Sequence, residues 1–517
     1  MWGGRPGGAH PDANPFRHDA RVSTTPNGMI AAGHPATAEA GARVLREGGN
    51  AVDAAVGAVL ASWVAEPLLT GPGAGGYRLV AGAGEEPTLL DVFVEAPGRG
   101  ADPSQRADLL PAEVSFGDAA QVFNVGPASC GTPGSPAGLA AALERWGSVP
   151  AAELAAPAAA MAREGVTLNA EQAYIFEILE PILCTTPEAQ AIFAPGGRAL
   201  REGECFRDPE LGETIERFGA EGAEPFYRGD IAHALVDWLE AGGGQLTLAD
   251  LDAYEAVPRE PVHVKYRGRQ VLTNPPPSAG GTLLALAMAK LDATSPGPPA
   301  ITQIVDVMEE VQAERTPEFL EGLQEARFAD RFLASRLGST THISVIDRDG
   351  LACSVTCTNG EGAGVVVPGT GVHVNNIMGE QDLSPLGFFR YPPGRRMPSM
   401  MAPTAVLDAH GEVELVLGSA GSNRIRSAIL QVIVGVVDHG MRAREAVLAP
   451  RVHFEDGLVY AEPGAGRDEL RAAGREIVAF RGPNLFFGGA QAVERDVATR
   501  ALSGAGDPRR GGVAVAA

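Results

Sequence analysis

The residues best suited to chemistry lie between Thr340 and Thr358, a stretch reading Thr-Thr-His-Ile-Ser-Val-Ile-Asp-Arg-Asp-Gly-Leu-Ala-Cys-Ser-Val-Thr-Cys-Thr. Two runs of strand-forming residues flank Arg348-Asp349-Gly350, a hairpin loop with glycine where a left-handed backbone is required. Pairing Asp347 with Leu351 sets Thr340 opposite Thr358, and cross-strand neighbours have Cβ atoms about 4.5–5.5 Å apart. The strand period of two gathers Thr340, His342 and Ser344 with Thr358, Thr356 and Ser354 on one face. Ile343, Val345, Leu351, Cys353 and Val355 fall on the other, which reads as core. A threonine hydroxyl is a poor nucleophile at neutral pH and needs an adjacent base. His342 is a base of the right type, but a histidine hydrogen-bonded within the sheet is the commoner case. A polar face at strand ends also fits an ordinary solvated sheet surface.

Several elements must hold this hairpin. Asn50 caps a small-residue helix running from Ala51 to about Ala65, and Tyr77–Val80 reads as a strand. Between them Gly71-Pro-Gly-Ala-Gly-Gly76 matches GxGxxG, but a dinucleotide site needs strand before and helix after, and here the order is reversed. A tight turn or close backbone packing is the expectation there. Residues 151–251 are helical by composition and end in a glycine stop with a fresh cap at Thr247. Asn274-Pro-Pro-Pro-Ser-Ala-Gly-Gly281 precedes an apolar helix at Leu283–Leu291, and a charged helix is expected from about Ile304 to Leu337. Further on, Val413–Leu417 is a strand, Gly418–Ser422 a small-residue turn, and Ile425–His439 an apolar helix with Arg424 near its start. Backbone N–H groups at such a turn suit a developing oxyanion.

The composition sets outer limits. With 517 residues, 45% hydrophobic and 20% charged, the chain can bury a large core. Its net charge of −23 argues against nucleic-acid or anionic-membrane partners, since phosphate binding needs a basic footprint. Cys130, Cys184, Cys205, Cys353 and Cys357 are too few and too unevenly spaced for a disulfide framework or zinc site, so no metal is expected. Residues 1–21 are expected to be disordered and carry no apolar run of the roughly 7–15 residues a signal peptide needs. Cytoplasmic location is the resulting expectation. The Gly/Arg/Ala-rich tail from about residue 504 is also expected to be disordered.

Gly338-Ser339-Thr340-Thr341-His342 and the hairpin after it resemble the segment at which gamma-glutamyltranspeptidases cut themselves. The resemblance runs from about Ala31 to Glu462. It includes Gly48-Gly-Asn-Ala-Val-Asp-Ala-Ala55, Glu66-Pro67, Phe226-Tyr-Arg-Gly-Asp-Ile231, Pro275-Pro-Pro-Ser-Ala-Gly-Gly281 and Val367-Pro-Gly-Thr-Gly371. Val374-Asn-Asn376, Met401-Ala-Pro-Thr404 and Gly418-Ser-Ala-Gly-Ser-Asn-Arg-Ile425 continue it.

That resemblance implies an α+β fold, the four-layer αββα sandwich of N-terminal-nucleophile hydrolases. It also implies a large segment 1–339 and a small segment 340–517 that remain together as a heterodimer after cleavage between Ser339 and Thr340. Thr340 becomes the nucleophile and its freed α-amine, with a reference pKa of about 7.7–8.0, the base. No cofactor is then required. Thr358 orients the amine and hydroxyl, and the amides of Gly421 and Ser422 form the oxyanion site. Asn359, Glu380 and Ser399 are the substrate contacts the resemblance suggests, for a small-molecule or short-peptide gamma-glutamyl donor of the glutathione type.

One departure bears on specificity. Relatives carry an arginine in an FRExxP-like segment that grips the glutamyl carboxylate, whereas Asp91-Val-Phe-Val-Glu-Ala-Pro97 has none. Unless another cation such as Arg396 or Arg424 replaces it, carboxylate recognition is expected to be relaxed. The alternatives are an N-terminal-threonine acylase for another amide, of the cephalosporin or acyl-amino-acid type, and an unprocessed non-catalytic homologue.

Overall fold

The computed structural model of the chain describes residues 26–115, 120–294, 297–314, 340–384, 387–421 and 423–517. The strands of its large sheets are β1 (Gly28–Ala32), β2 (Gly75–Gly82), β3 (Glu85–Val92), β4 (Val257–Arg259), β5 (Val262–Tyr266), β6 (Arg269–Thr273) and β7 (Thr341–Asp347). They continue as β8 (Ala352–Thr358), β9 (Thr404–Leu407), β10 (Val413–Ala420), β11 (Gly489–Arg495), β12 (Leu502–Gly506) and β13 (Val513–Ala516). One sheet has seven strands in the order β13-β1-β7-β8-β2-β3-β4, the other six in the order β12-β11-β10-β9-β6-β5. The pairings within both are antiparallel.

Alternation along the strands divides the apolar residues among separate cores. Ile30, Val80, Ile343, Val345, Cys353 and Val355 face helices α1 (Pro35–Arg46) and α2 (Ala51–Ala65). Met29, Tyr77, Leu79 and Ile346 face Leu272, Ala405, Val416 and Val493 of the other sheet. Val271, Val406, Leu415 and Leu417 face α3 (Ala279–Thr294) and α4 (Arg424–Val437) through Leu283, Met288, Ile425 and Ile429. The layers therefore run helix, sheet, sheet, helix. Every residue of α2 is buried, as expected of a helix that is apolar all round.

The anticipated local signals are present. Asn50 forms a capping box with Asp53, Thr247 forms one with Asp250, and residues 151–252 are largely helical. The glycine cluster serves close packing: an added Cβ would come within 2.4 Å of the His373 carbonyl at Gly73, 2.8 Å of the Val94 amide at Gly75 and 2.2 Å of the Thr356 carbonyl at Gly76. The helix expected from Ile304 is described as Ile301–Ala313, and its continuation to Leu337, like residues 1–21, lies outside the described residues.

The carboxyl-terminal segment departs from expectation. From residue 502 onward it forms β12 and β13, and β13 pairs with β1 as an edge of the first sheet. Composition hid this because alternating Val and Ala form a short, small-residue strand. Buried Arg509 fixes the turn before it by pairing with Glu462 and, at 3.2 Å, with Asp507.

Candidate active site

The hairpin register is the one its loop dictates. Thr341 pairs with Cys357, His342 with Thr356 and Ile346 with Ala352. The Asp347 amide donates to the Leu351 carbonyl at 3.0 Å, and Gly350 has φ +88°. One step beyond the ladder, Thr340 stands opposite Thr358. The Asp347 carboxylate accepts from Asp349 and Leu351 and, with its other oxygen, from the first amide of α2 at Ala51.

The polar face of the hairpin is buried between the sheets. His342 Nδ1 pairs with Thr356 Oγ1 at 2.8 Å and Nε2 with Ser344 Oγ at 2.9 Å. Ser344 Oγ donates to the Gln491 carbonyl and Ser354 Oγ to the Leu417 carbonyl. Burial lowers His342 to about 3, so the imidazole is neutral and structural. It fits only because residue 418 is glycine, where a Cβ would lie 2.2 Å from His342 Cε1.

Thr340 contrasts with this saturated network. It is 1% exposed, and its Oγ1 has no hydrogen-bond partner among the described residues. A buried hydroxyl without a partner is costly in a purely structural role. Thr358 Oγ1 accepts from the Gly360 amide at 2.9 Å, which ties it to the turn carrying the substrate-side candidates. The Asn376 amide donates to the Asn359 carbonyl, the Glu361 amide to Asn376 Oδ1, and the Asn359 side chain to the His373 carbonyl. A Cβ on Gly360 would meet Glu380 Oε1 at 2.4 Å. Thr358, Asn359 and Glu380 thus share one locality. Ser399 is buried, its hydroxyl accepting from the Met401 amide and its carbonyl from Ser278 Oγ.

Gly421 follows the last residue of β10 with φ +112°, a left-handed value that favours glycine, just before α4. On the second sheet Ser354 meets the Leu417 carbonyl, Ser344 the Gln491 carbonyl, and His342 packs against Gly418 of β10. Ser422 and Ser339 lie outside the described residues.

A model of the Gamma-glutamyltranspeptidase family matches residues 37–333 and 325–517. The chain belongs to this family. It is 30% identical over 501 residues to the acylase ACY 1 proenzyme of Pseudomonas sp. strain SE83, covering 90% of this chain and 89% of that one. It is 29% identical over 548 residues to the glutathione hydrolase proenzyme of Bacillus subtilis strain 168, covering 96% and 92%. A crystal structure of cephalosporin acylase from Bacillus halodurans matches with TM-score 0.83 and 26% identity over 98% of this chain and 99% of that one. The chain is accordingly a gamma-glutamyltranspeptidase-like enzyme of the N-terminal-nucleophile type, with the α+β fold expected of it.

Within this family member, inspection of the sequence missed an anchor behind the hairpin. Thr341 points to the helical side and donates to Glu66 Oε2 at 2.7 Å, while Thr37 donates to Glu66 Oε1 at 2.8 Å. Burial raises the Glu66 carboxyl, against the two hydroxyl bonds and the Arg510 charge. Glu66-Pro67 was visible as a motif, but nothing in it disclosed a partner 275 residues away. The cations considered as replacements for the missing arginine are both engaged. Arg396 Nη1 donates to the Phe93 carbonyl at 2.7 Å, lies 3.4 Å from Glu95 and stacks over Tyr254, and its Nε is 3.5 Å from Asp91. Arg424 donates to the Phe486 carbonyl and lies over the Phe486 ring.

Proposed function

We propose that the chain cleaves itself before Thr340 and then hydrolyses or transfers gamma-glutamyl groups through a threonyl ester. The observation carrying this reading is the buried, unpartnered Thr340 hydroxyl opposite Thr358, beside a hairpin whose other polar groups are satisfied. In the cleavage step Oγ1 attacks the carbonyl carbon of residue 339, the C–N bond to Thr340 breaks, and the hydroxyl proton passes to the departing nitrogen. Water then opens the ester, leaving a carboxylate on residue 339 and a free amine and hydroxyl on Thr340. In turnover that amine takes the Oγ1 proton as the hydroxyl attacks the substrate amide, and the proton passes on to the leaving amine. The Gly421 amide, with that of residue 422, stabilises the oxyanion, a donor of this kind contributing about 2.7–4 kcal/mol. Thr358 holds the new amine, and Asn359, Glu380 and Ser399 border the donor.

A second reading, an acylase for another amide, is favoured by Asp91–Pro97 having no arginine and by the acylase relatives. Both readings use the same nucleophile and require the two fragments to stay associated, since β1 and β13 of one sheet come from opposite sides of the cut. A denaturing gel with amino-terminal sequencing tests the proposal. Fragments of 339 and 178 residues (517 minus 339) are expected, the smaller beginning Thr-Thr-His. Thr340→Ala should abolish both cleavage and activity, and an active enzyme that stays full length would overturn the reading.

A further inference from the structure

Alternation along β2 turns Tyr77 and Leu79 toward the second sheet, and Arg78 and Val80 toward the helices. Arg78 pairs in register with Val355 of β8 and Leu90 of β3, so its side chain leaves mid-sheet into the apolar layer that both residues join. It is 1% exposed, and Nε, Nη1 and Nη2 all lack a hydrogen-bond partner among the described residues. Other buried guanidinium groups have carboxylates. Arg451 pairs with Asp507 at 2.6 Å, Arg509 with Glu462 and Asp507, and Arg396 with Asp91 and Glu95.

The surroundings of Arg78 enlarge the imbalance. Nη1 lies 2.2 Å from a Cβ built on Gly138, which sets the guanidinium against the first turn of the helix Ser135–Trp146, its partially positive end. The Gly134 and Ser135 amides there donate to the Ala74 carbonyl, and the Ala137 amide to the Tyr227 hydroxyl, which itself donates to the Pro133 carbonyl. Tyr227, Cys353 and Cys357 sense the Arg78 charge, but burial raises all three, Cys353 to about 12, so each is neutral at pH 7. Ser135 lies on the same helix face as Gly138, is 1% exposed, and has a hydroxyl with no partner among the described residues. A guanidinium stays protonated in a protein, and an isolated charge in an apolar layer is among the costliest burials a fold can contain. Water could satisfy its donors but not its charge.

We propose that Arg78 holds a monovalent inorganic anion, chloride in ordinary saline, between β2 and the first turn of the helix Ser135–Trp146. The anion balances the guanidinium, accepts from its free N–H groups and from the Ser135 hydroxyl, and meets the favourable end of the helix dipole. The apolar neighbours Val92, Leu90 and Val355 define the class. A dianion would bring a second charge with no cation to meet it, and an organic carboxylate would need room for its chain; a halide demands neither. The site lies on the helix side of the sheet, opposite the polar face of the hairpin, and does not depend on the threonine-nucleophile reading.

The test uses the full chain exchanged into chloride-free buffer, with sodium gluconate, too bulky for this layer, holding ionic strength constant. The wild-type thermal midpoint should be higher in chloride than in gluconate, rising by about 1 °C for each tenfold increase in chloride above its Kd. R78M, which replaces the charge with an unbranched apolar side chain, should melt at the same temperature in both salts. Crystals grown in sodium bromide should show an anomalous peak in contact with the Arg78 guanidinium, and R78M crystals none there. If R78M does not accumulate folded, the wild-type salt series and bromide peak decide. Equal wild-type midpoints in chloride and gluconate, or no anomalous peak at Arg78, overturn the proposal. A chloride effect of full size in R78M does so too, because it places the ion elsewhere.

Discussion

The hairpin from Thr340 to Thr358 and the corner around Asp91–Pro97 are both buried and polar, yet they treat their polar groups oppositely. In the hairpin His342, Ser344, Ser354 and Thr356 satisfy one another and the second sheet, and one hydroxyl, that of Thr340, is left over. At the corner Asp91 pairs with Arg259 and Arg396, Glu95 with Arg99 and Arg396, and Asp250 with Arg99. Among the described residues each of these charges is already paired. The hairpin thus leaves one buried hydroxyl without a partner among the described residues, while the corner supplies each cation with anions.

The sharpest way to break this contrast is to remove the cation from the corner. Arg396→Met removes a donor from the Phe93 carbonyl, which keeps the Tyr254 hydroxyl, and from the Glu255 carbonyl, and takes one partner each from Asp91 and Glu95. Breaking buried ion pairs of this kind costs about 3–5 kcal/mol. The expected outcome is a large fall in thermal midpoint, with the ratio of kcat/KM for glutaryl and pentanoyl p-nitroanilides, which differ in a terminal carboxylate, preserved in the folded fraction. A collapse of that ratio at unchanged stability would show that Arg396 binds substrate and that the corner is still a recognition site.

The second test lies in the hairpin itself. Thr358→Ala deletes the hydroxyl that accepts from Gly360 and faces Thr340. Correct positioning of a nucleophile and its base contributes rate factors of about 10²–10⁴, so kcat should fall about 10²-fold with KM little changed. The thermal midpoint should move far less than for Arg396→Met. Equal losses in stability and rate would make Thr358 a structural residue.

How far these regions were legible beforehand follows from the same difference. The register of Thr340 against Thr358 came from a loop of known geometry and a period of two, both local. The glycine cluster, the Asn50 and Thr247 caps and the strand, turn and helix around Gly421 were readable for similar reasons. Glu66 binding Thr341 and Arg396 neutralised at Asp91 are pairings between distant segments, which no local pattern encodes. The small-residue strand after Gly504 was concealed because its order comes from pairing with β1, whereas its composition suggests a flexible tail.

The smallest expected effect concerns acid, and it separates the saturated network from the residue it exposes. Burial holds neutral His342 at about 3, far below the ordinary unfolded value near 6.5. A histidine with a lowered folded pKa contributes stability that is fully present above the unfolded value and is lost as pH falls toward the folded one. The window therefore runs from about pH 6.5 down to about 3. At pH 5 the loss is about 2 kcal/mol for this one group. Raised carboxyls such as Glu66 act with the opposite sign, so the contribution must be isolated by substitution. His342→Gln should lower stability at pH 7.5, because it disturbs Thr356 and Ser344, and should also shrink the further drop between pH 7.5 and pH 5 by about 2 kcal/mol, read from denaturant midpoints. An undiminished drop in the variant would mean that His342 is protonated in the native sheet, and the network around Thr340 would then carry a charge in place of a set of satisfied neutral groups.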